Sequence, residues 1–339
     1  MPVIGVTSNT VPWELLRAAG FQPMLLSPQR PRTSLADRYM EDVFSARMKA
    51  ALDFLISDVG AELSVVVIPR TSEQEHKLYL YLREVMRQKL EHSPEPILYN
   101  LLHARSPEAE AYGLDRTHAL KMTLERLAGQ PIEPEALSAA ITEGNAARHA
   151  IRGLLQEREG SAPRLRGSEA LALIGAWYFM DRTEYARLAQ EALLEIRKRP
   201  PLRGPRILIK GPPLDSPDFC TLVESHGAIV VAEDDWWGSR AAGSDIDTTI
   251  DPVRAIFEKY YFDAPSPRVF PSEVADAWFH RKAAEVDGVI FYLPPEDDVL
   301  GWDYPCLREF LDERSIPHLM LRHESSDEIR AFVERLPNG

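Results

Sequence analysis

Cysteine is nearly absent from this sequence: Cys220 and Cys306 are the two thiols in 339 residues. Two cysteines cannot build the disulfide framework of a small secreted domain, and a chain of this length does not need one. The count fits a reducing compartment, and the cytoplasm is the expected location. Long hydrophobic runs are missing as well. The N-terminal MPVIGVTSNT has no basic stretch ahead of an apolar one. Apolar runs such as 65–68 fall far below the roughly 20 residues that a membrane-spanning helix requires.

Bases are outnumbered. Fifty-two acidic residues stand against 39 Lys and Arg, for a formal charge of −13. That charge repels a phosphate backbone and argues against nucleic acid as a partner. A Walker loop, a GxSxG elbow, an HExxH helix and a GxGxxG turn are all absent, so the usual nucleotide-binding, hydrolase and zinc-protease readings lose their support. Glu73 and His76 stand at i and i+3 of an expected helix start, but two ligands are too few, and no metal site is expected.

What is present is an ordinary globular balance, 45% hydrophobic and 27% charged, in a chain long enough for two or three domains. Short aliphatic runs bounded by turn residues and followed by helical patterns mark a buried parallel sheet. They occur at 3–6, 24–27, 64–68 and 96–100, and again at 206–210, 228–232, 288–292 and 318–322, with helices expected at 217–226, 251–262, 272–286 and 325–336. The expected fold is α/β, in an N-terminal α/β lobe (1–106), a helical region (107–203) and a C-terminal α/β lobe (204–339).

The opening segments of the two lobes, IGVTSNTVPWELLRAAGFQPMLL and ILIKGPPLDSPDFCTLVESHGAIVV, share one plan of strand, loop, helix, glycine and strand. Gly20 and Gly227 stand where a left-handed residue would end each helix, and Pro12 suits a first helical turn. In the middle region one apolar face runs through Leu137, Ala140, Ile141, Ala147, Ile151 and Leu154, and another through Tyr185, Leu188, Ala189, Ala192, Leu193 and Ile196. The Pro-rich stretch 198–205 reads as a linker.

Ligands of open parallel sheets bind beyond the carboxyl ends of the strands. The candidate loops are therefore 7–10, with Ser8, Asn9 and Thr10; 69–73, with Arg70, Thr71 and Ser72; 211–213; 233–238, with Asp234 and Trp237; and 293–298, with Asp297. Glu14, in the first turn of its helix, reads as a base or ligand-orienting acid, or as ordinary helix-start chemistry. The Trp236-Trp237 pair reads either as a binding hot spot or as packing beneath its loop.

Several segments, in order, resemble a known family: VPWELLRAAGFQPMLL, FSARMKAALDF, VVVIPRTSE, GQPIEPEALSAAITEGNAARHAIRGLL, GAIVVAEDDWWGSR, VDGVIFYLPPEDD, DYPCLREFL and IRAFVERL. Together they are similar to the subunits of 2-hydroxyacyl-CoA dehydratases and benzoyl-CoA reductases. The resemblance implies two Rossmann-like lobes with parallel sheets and an intervening helical region, paired subunits, and an acyl-CoA or related acid as substrate. It also implies a [4Fe-4S] cluster held by three cysteines, fed one electron by an ATP-driven activator, and a ketyl radical that lets the β-proton and hydroxyl leave or an aromatic ring be reduced.

The family's cluster cysteines fall at Val43, Ser72 and Asp297 here, and none of these carries sulfur. Iron–sulfur clusters depend on thiolates, so the expectation is no cofactor on this chain, with the cluster in a partner. Cys220 and Cys306 are expected to be buried packing residues. Glu14, on the family's Pro-x-Glu-Leu element, and Ser72 remain the catalytic candidates. Ser8, Asn9, Thr10, Arg70, Thr71, Asp234, Trp237 and Asp297 remain the substrate-binding candidates. The expected role is a cluster-less subunit that completes an interface and a substrate pocket, beside a homologous cysteine-bearing subunit or a second copy of itself. The alternatives are a stand-alone binding or scaffold protein of the same fold, and a repurposed, cluster-free acid–base enzyme.

Overall fold

The computed structural model describes residues 2–27, 33–295 and 298–337. The chain forms two compact units: Met1–Asn145 with Ser244–Pro271, and Ala146–Gly243 with Ser272–Gly339. Each unit is built on a four-stranded parallel sheet.

In the first unit the strands are β1 (Val3–Val6), β2 (Gln22–Leu25), β3 (Val65–Pro69) and β4 (Glu95–Tyr99), in the order β2-β1-β3-β4. In the second they are β5 (Arg206–Lys210), β6 (Ile229–Glu233), β7 (Gly288–Tyr292) and β8 (His318–Leu321), in the order β6-β5-β7-β8. The two orders are the same, so the repeat legible in the opening segments extends to the topology of whole sheets. Parallel strands need crossover helices that cover the sheet, which is why all five residues of both β3 and β6 are buried and why the first four of each read as an unbroken aliphatic run.

The first crossover of each unit turns on a glycine. Gly20 follows the helix Trp13–Ala18 at φ +84°, and Gly227 follows the helix Asp218–Glu224 at φ +91°. Both are left-handed conformations in which a Cβ would be strained.

The stretch between β4 and β5 is helical, as expected, with helices Pro107–Ala128, Pro134–Glu159, Gly167–Gly175 and Arg182–Ile196. The expected apolar face from Leu137 to Leu154 is buried throughout. On the last helix Tyr185, Ala189, Leu193 and Ile196 are buried, but Leu188 is 37% exposed because it flanks that stripe instead of lying on it. The helix Asp298–Glu313 was not expected from the pattern. It carries Pro305 in its interior, a residue that ordinarily signals a helix end.

The segment 244–271 belongs to the first unit, where its helix Pro252–Phe262 packs on Pro107–Ala128. A Cβ at Gly113 would stand 2.5 Å from Phe257 Cε2, so glycine permits the close approach. The first unit's core joins Leu52, Leu55, Val66, Ile68, Leu78 and Leu82; the second joins Leu208, Phe279, Val289, Phe291 and Leu311. Among the described residues no helix is long and apolar enough to cross a membrane.

Candidate functional site

In the first sheet the chain leaves β1 toward β2 on one side and later takes up β3 on the other. The loops at the carboxyl ends of β1 and β3 therefore diverge, which is the position where open α/β sheets bind ligands. The residues there are hydroxyl-bearing and buried. Ser8 Oγ lies 2.8 Å from Thr10 Oγ1, and Thr10 Oγ1 lies 2.5 Å from Thr71 Oγ1, so one chain of hydroxyls ties the two loops together. Asn9 is half-buried between Ser8 and Thr10. Ser266, from the distant segment 244–271, donates its hydroxyl to the Thr71 carbonyl at 2.5 Å.

Ser72 is the N-cap of the helix Glu73–Gln88. Its Oγ accepts from the Glu75 N–H at 3.2 Å, and its own N–H donates to Glu75 Oε2 at 3.0 Å, a reciprocal capping box. Glu75 is buried beneath this turn. Burial pushes its carboxyl up, against the pull of the Arg47 guanidinium and of hydrogen bonds from Ser8 and Ser72. Arg47 Nη2 in turn donates to the Thr7 carbonyl at 2.6 Å.

Glu14 is fully buried in the first turn of its short helix, where Tyr260 donates its hydroxyl to Oε2 at 2.9 Å. The same phenolic oxygen accepts from the Trp13 N–H at 3.2 Å. Arg70 anchors its backbone N–H on the Tyr99 carbonyl at 3.0 Å. Burial, and after it the Arg70 guanidinium, disfavours the protonated forms of His76, His103 and Arg268. For His103 burial is the larger cause, and the two effects, with Arg105, push it down to about 4.

In the second unit, Asp234 is buried between Lys210 Nζ at 2.5 Å and Arg240 Nη1 at 3.0 Å. Burial opposes its ionisation, but the two cations outweigh it and hold the carboxyl below its usual range. Asp276, nearby, is raised by burial despite Lys210 and His280. Asp235 caps its loop, accepting from the N–H groups of Trp237 and Gly238 at 2.8 Å each and of Leu214 at 3.1 Å.

Trp236 and Trp237 are 6% and 4% exposed, and the Tyr178 hydroxyl donates to both of their carbonyls. The Trp237 ring stands 4.7 Å from that of Tyr178. The pair therefore packs beneath its own loop, and its rings are not presented on the surface of the unit. Asp297 lies outside the described residues.

The sulfur positions complete the picture. Val43 is 58% exposed in the turn before the helix Ala46–Leu55, and Ser72 is committed to its cap. Cys220 is fully buried, and its thiol lies 3.9 Å from Glu233 Oε1, whose carboxylate is already held by Arg158 at 2.7 and 2.9 Å. Burial and that carboxylate push the Cys220 thiol well above its usual range, so it is not an available thiolate. Cys306 is exposed on the helix Asp298–Glu313, which corrects the expectation that both thiols are packing residues. Among the described residues no three His, Cys, Asp or Glu side chains are grouped as metal ligands. This donor set does not fit a [4Fe-4S] cluster, which takes thiolate ligands.

Of the expected site residues, the first unit brings together Ser8, Thr10, Thr71 and Ser72 and places Glu14 in a separate contact with Tyr260. The sequence reading missed Glu75, Arg47, Tyr260, Ser266 and Arg268. Glu75 had a local signal, since Ser72-Glu73-Gln74-Glu75 is a capping-box pattern. Tyr260, Ser266 and Arg268 had none, because they arrive from a segment far away in the chain.

Two parallel α/β units of equal strand order, the first with a hydroxyl-lined switch point, define the class of protein. The chain belongs to the 2-hydroxyglutaryl-CoA dehydratase D-component family, whose sequence model matches residues 9–336. It is 22% identical to the (R)-phenyllactyl-CoA dehydratase beta subunit of Clostridium sporogenes, an alignment covering 98% of this chain and 91% of that protein. It is also 22% identical to the (R)-2-hydroxyglutaryl-CoA dehydratase subunit beta of Acidaminococcus fermentans, over 94% of this chain and 86% of that one.

Proposed function

We propose that this chain is a cluster-free subunit of a 2-hydroxyacyl-CoA dehydratase-like or benzoyl-CoA reductase-like complex in the cytoplasm, supplying an interface and part of a substrate pocket. One observation carries the reading: the family match runs through almost the whole chain, while the chain has two cysteines, one of them buried and held protonated. Fold and pocket depend on residues that remain; cluster binding depends on thiolates that do not. The relatives in Clostridium sporogenes and Acidaminococcus fermentans are each named as beta subunits, which supports a role in a pair.

In this reading a homologous, cysteine-bearing subunit does the redox step, and the ligand is an acyl-CoA or a related acid. Ser8, Asn9, Thr10, Arg70 and Thr71 contact it, and Glu14 and Ser72 are its catalytic neighbours. Asp234, Trp237 and Asp297 are the second unit's candidates, of which Trp237 acts through packing. No redox step is assigned to this chain's own residues. Anaerobic co-expression with a cysteine-bearing relative from the same genome tests the proposal. A single complex on gel filtration, with iron bound by the partner, is the expected result. Separate elution from every such relative overturns it.

A further inference from the structure

We propose that Arg70, Arg268 and His103 form an oxyanion site in the first unit, one that takes a phosphate or carboxylate group. The assignment deepens the reading of Arg70 as a ligand residue and rests on it.

Three separate segments build this corner. Arg70 follows β3 and is pinned to β4 by its N–H bond to the Tyr99 carbonyl. His103 follows β4, and its carbonyl accepts from the Phe270 N–H at 3.1 Å, while the Arg105 N–H donates to the Phe270 carbonyl at 2.8 Å. Arg268 lies between these contacts, its N–H donating to Ser266 Oγ at 3.1 Å while Ser266 holds the Thr71 carbonyl. The segment 264–271 thus lies against the ends of β3 and β4, and its Arg268 is close enough to Arg70 to feel that residue's charge.

The charges do not balance. Arg268 is paired with Glu73, and Arg105 donates to the carbonyls of Tyr261 at 2.7 Å and Phe262 at 3.1 Å. Arg70 makes no side-chain hydrogen bond or ion pair among the described residues, and its Nε is buried without a partner. Among the described residues the ion pairs of Arg70, Arg105 and Arg268 thus count one carboxylate, Glu73 on Arg268, in a protein whose formal charge is −13. Burial, and after it the like charge of Arg70, lowers the proton affinity of Arg268.

His103 adds an independent observation. It is 4% exposed, and its Nδ1 has no hydrogen-bond partner. Buried polar atoms are almost always paired, so two unpaired nitrogens beside an excess of positive charge describe a place where an acceptor belongs. A planar guanidinium presents parallel N–H donors at the spacing of phosphate or carboxylate oxygens, and a neutral imidazole adds a single N–H. The Arg268 side chain is 23% exposed and Arg70 is half-buried, so a group can enter from solvent.

The two sources of such a group are the phosphates of a coenzyme A ester and the carboxylate of an acid, and the test separates them. Titration calorimetry of the whole chain, without any partner, is run with inorganic phosphate and with acetate, on the wild type, Arg70→Gln and Arg268→Gln. Saturable binding of either anion, weakened at least tenfold in Arg70→Gln while its anion-free thermal midpoint stays at or above the wild-type value, is the expected result. Preference for phosphate assigns the coenzyme, and preference for acetate assigns the acid. If Arg70→Gln fails to fold, Arg268→Gln carries the same comparison. Absence of binding by both anions, or equal binding to wild type and folded variants, overturns the site. Because no partner is present, this outcome is read separately from the pairing on which the subunit role depends.

Discussion

Tyr260 donates a hydrogen bond to Glu14 at 2.9 Å, joining residues 246 positions apart. The contact supplies a donor to the fully buried Glu14 carboxyl group at the start of a six-residue helix. It also ties the segment 244–271 to the crossover between β1 and β2. Tyr260→Phe removes a donor from that carboxylate and an acceptor from the Trp13 N–H. A stability loss of about 1–3 kcal/mol is expected for a bond of this kind. Urea unfolding measures it, and an unchanged midpoint would show that the contact contributes nothing to the fold.

Ser72 has a structural task whatever else it does. Ser72→Ala should cost about 0.5–2 kcal/mol through loss of the helix cap. Ser72→Thr, which keeps the hydroxyl, should recover most of that loss. If Ser72→Ala lowers ligand affinity or activity while stability is unchanged, the hydroxyl acts on the ligand and the cap is dispensable.

The chain purified alone under anaerobic conditions should contain no stoichiometric iron or sulfide and no broad absorption near ~400 nm, since its donor set lacks the thiolates of an iron–sulfur centre. Iron and sulfide that survive desalting would overturn the ligand argument.

Asp235 gives the second unit a pH signature. Burial and the neighbouring Glu233 push its carboxyl up to about 7 in the folded chain, against about 3.9 for an unperturbed Asp. Between those values the folded state binds more protons than the unfolded one, so this group's contribution to stability falls as pH rises from about 4 to about 7. Asp235→Asn keeps an acceptor for Trp237 and Gly238 and should flatten the dependence. Parallel slopes for wild type and variant in denaturant titrations across that window would contradict the shift.

Much of the fold was legible locally. The strands at 3–6, 206–210 and 288–292 stand where the aliphatic runs put them, and Gly20 and Gly227 take the left-handed conformations their positions implied. The helix Asp298–Glu313 was illegible because Pro305, which the structure accommodates in the helix interior, reads in sequence as a stop. Leu188 misled for a related reason: a stripe read from periodicity has no sharp edge until a neighbour packs against it.

The sequence by itself determined the α/β class, the repeated plan, the capping box at Ser72 and the lack of a thiolate set, because side-chain period, turn chemistry and residue counts are local properties of the chain. Tertiary structure alone decided that Tyr260, Ser266 and Arg268 serve the first unit, that the Trp236-Trp237 rings are packed inside the second, and that Cys220 is buried while Cys306 is exposed. Those outcomes depend on which distant segments share a core. That is fixed by burial and hydrogen bonding across the whole fold, and no window of sequence contains both partners of a contact such as Tyr260 with Glu14 or Ser266 with Thr71.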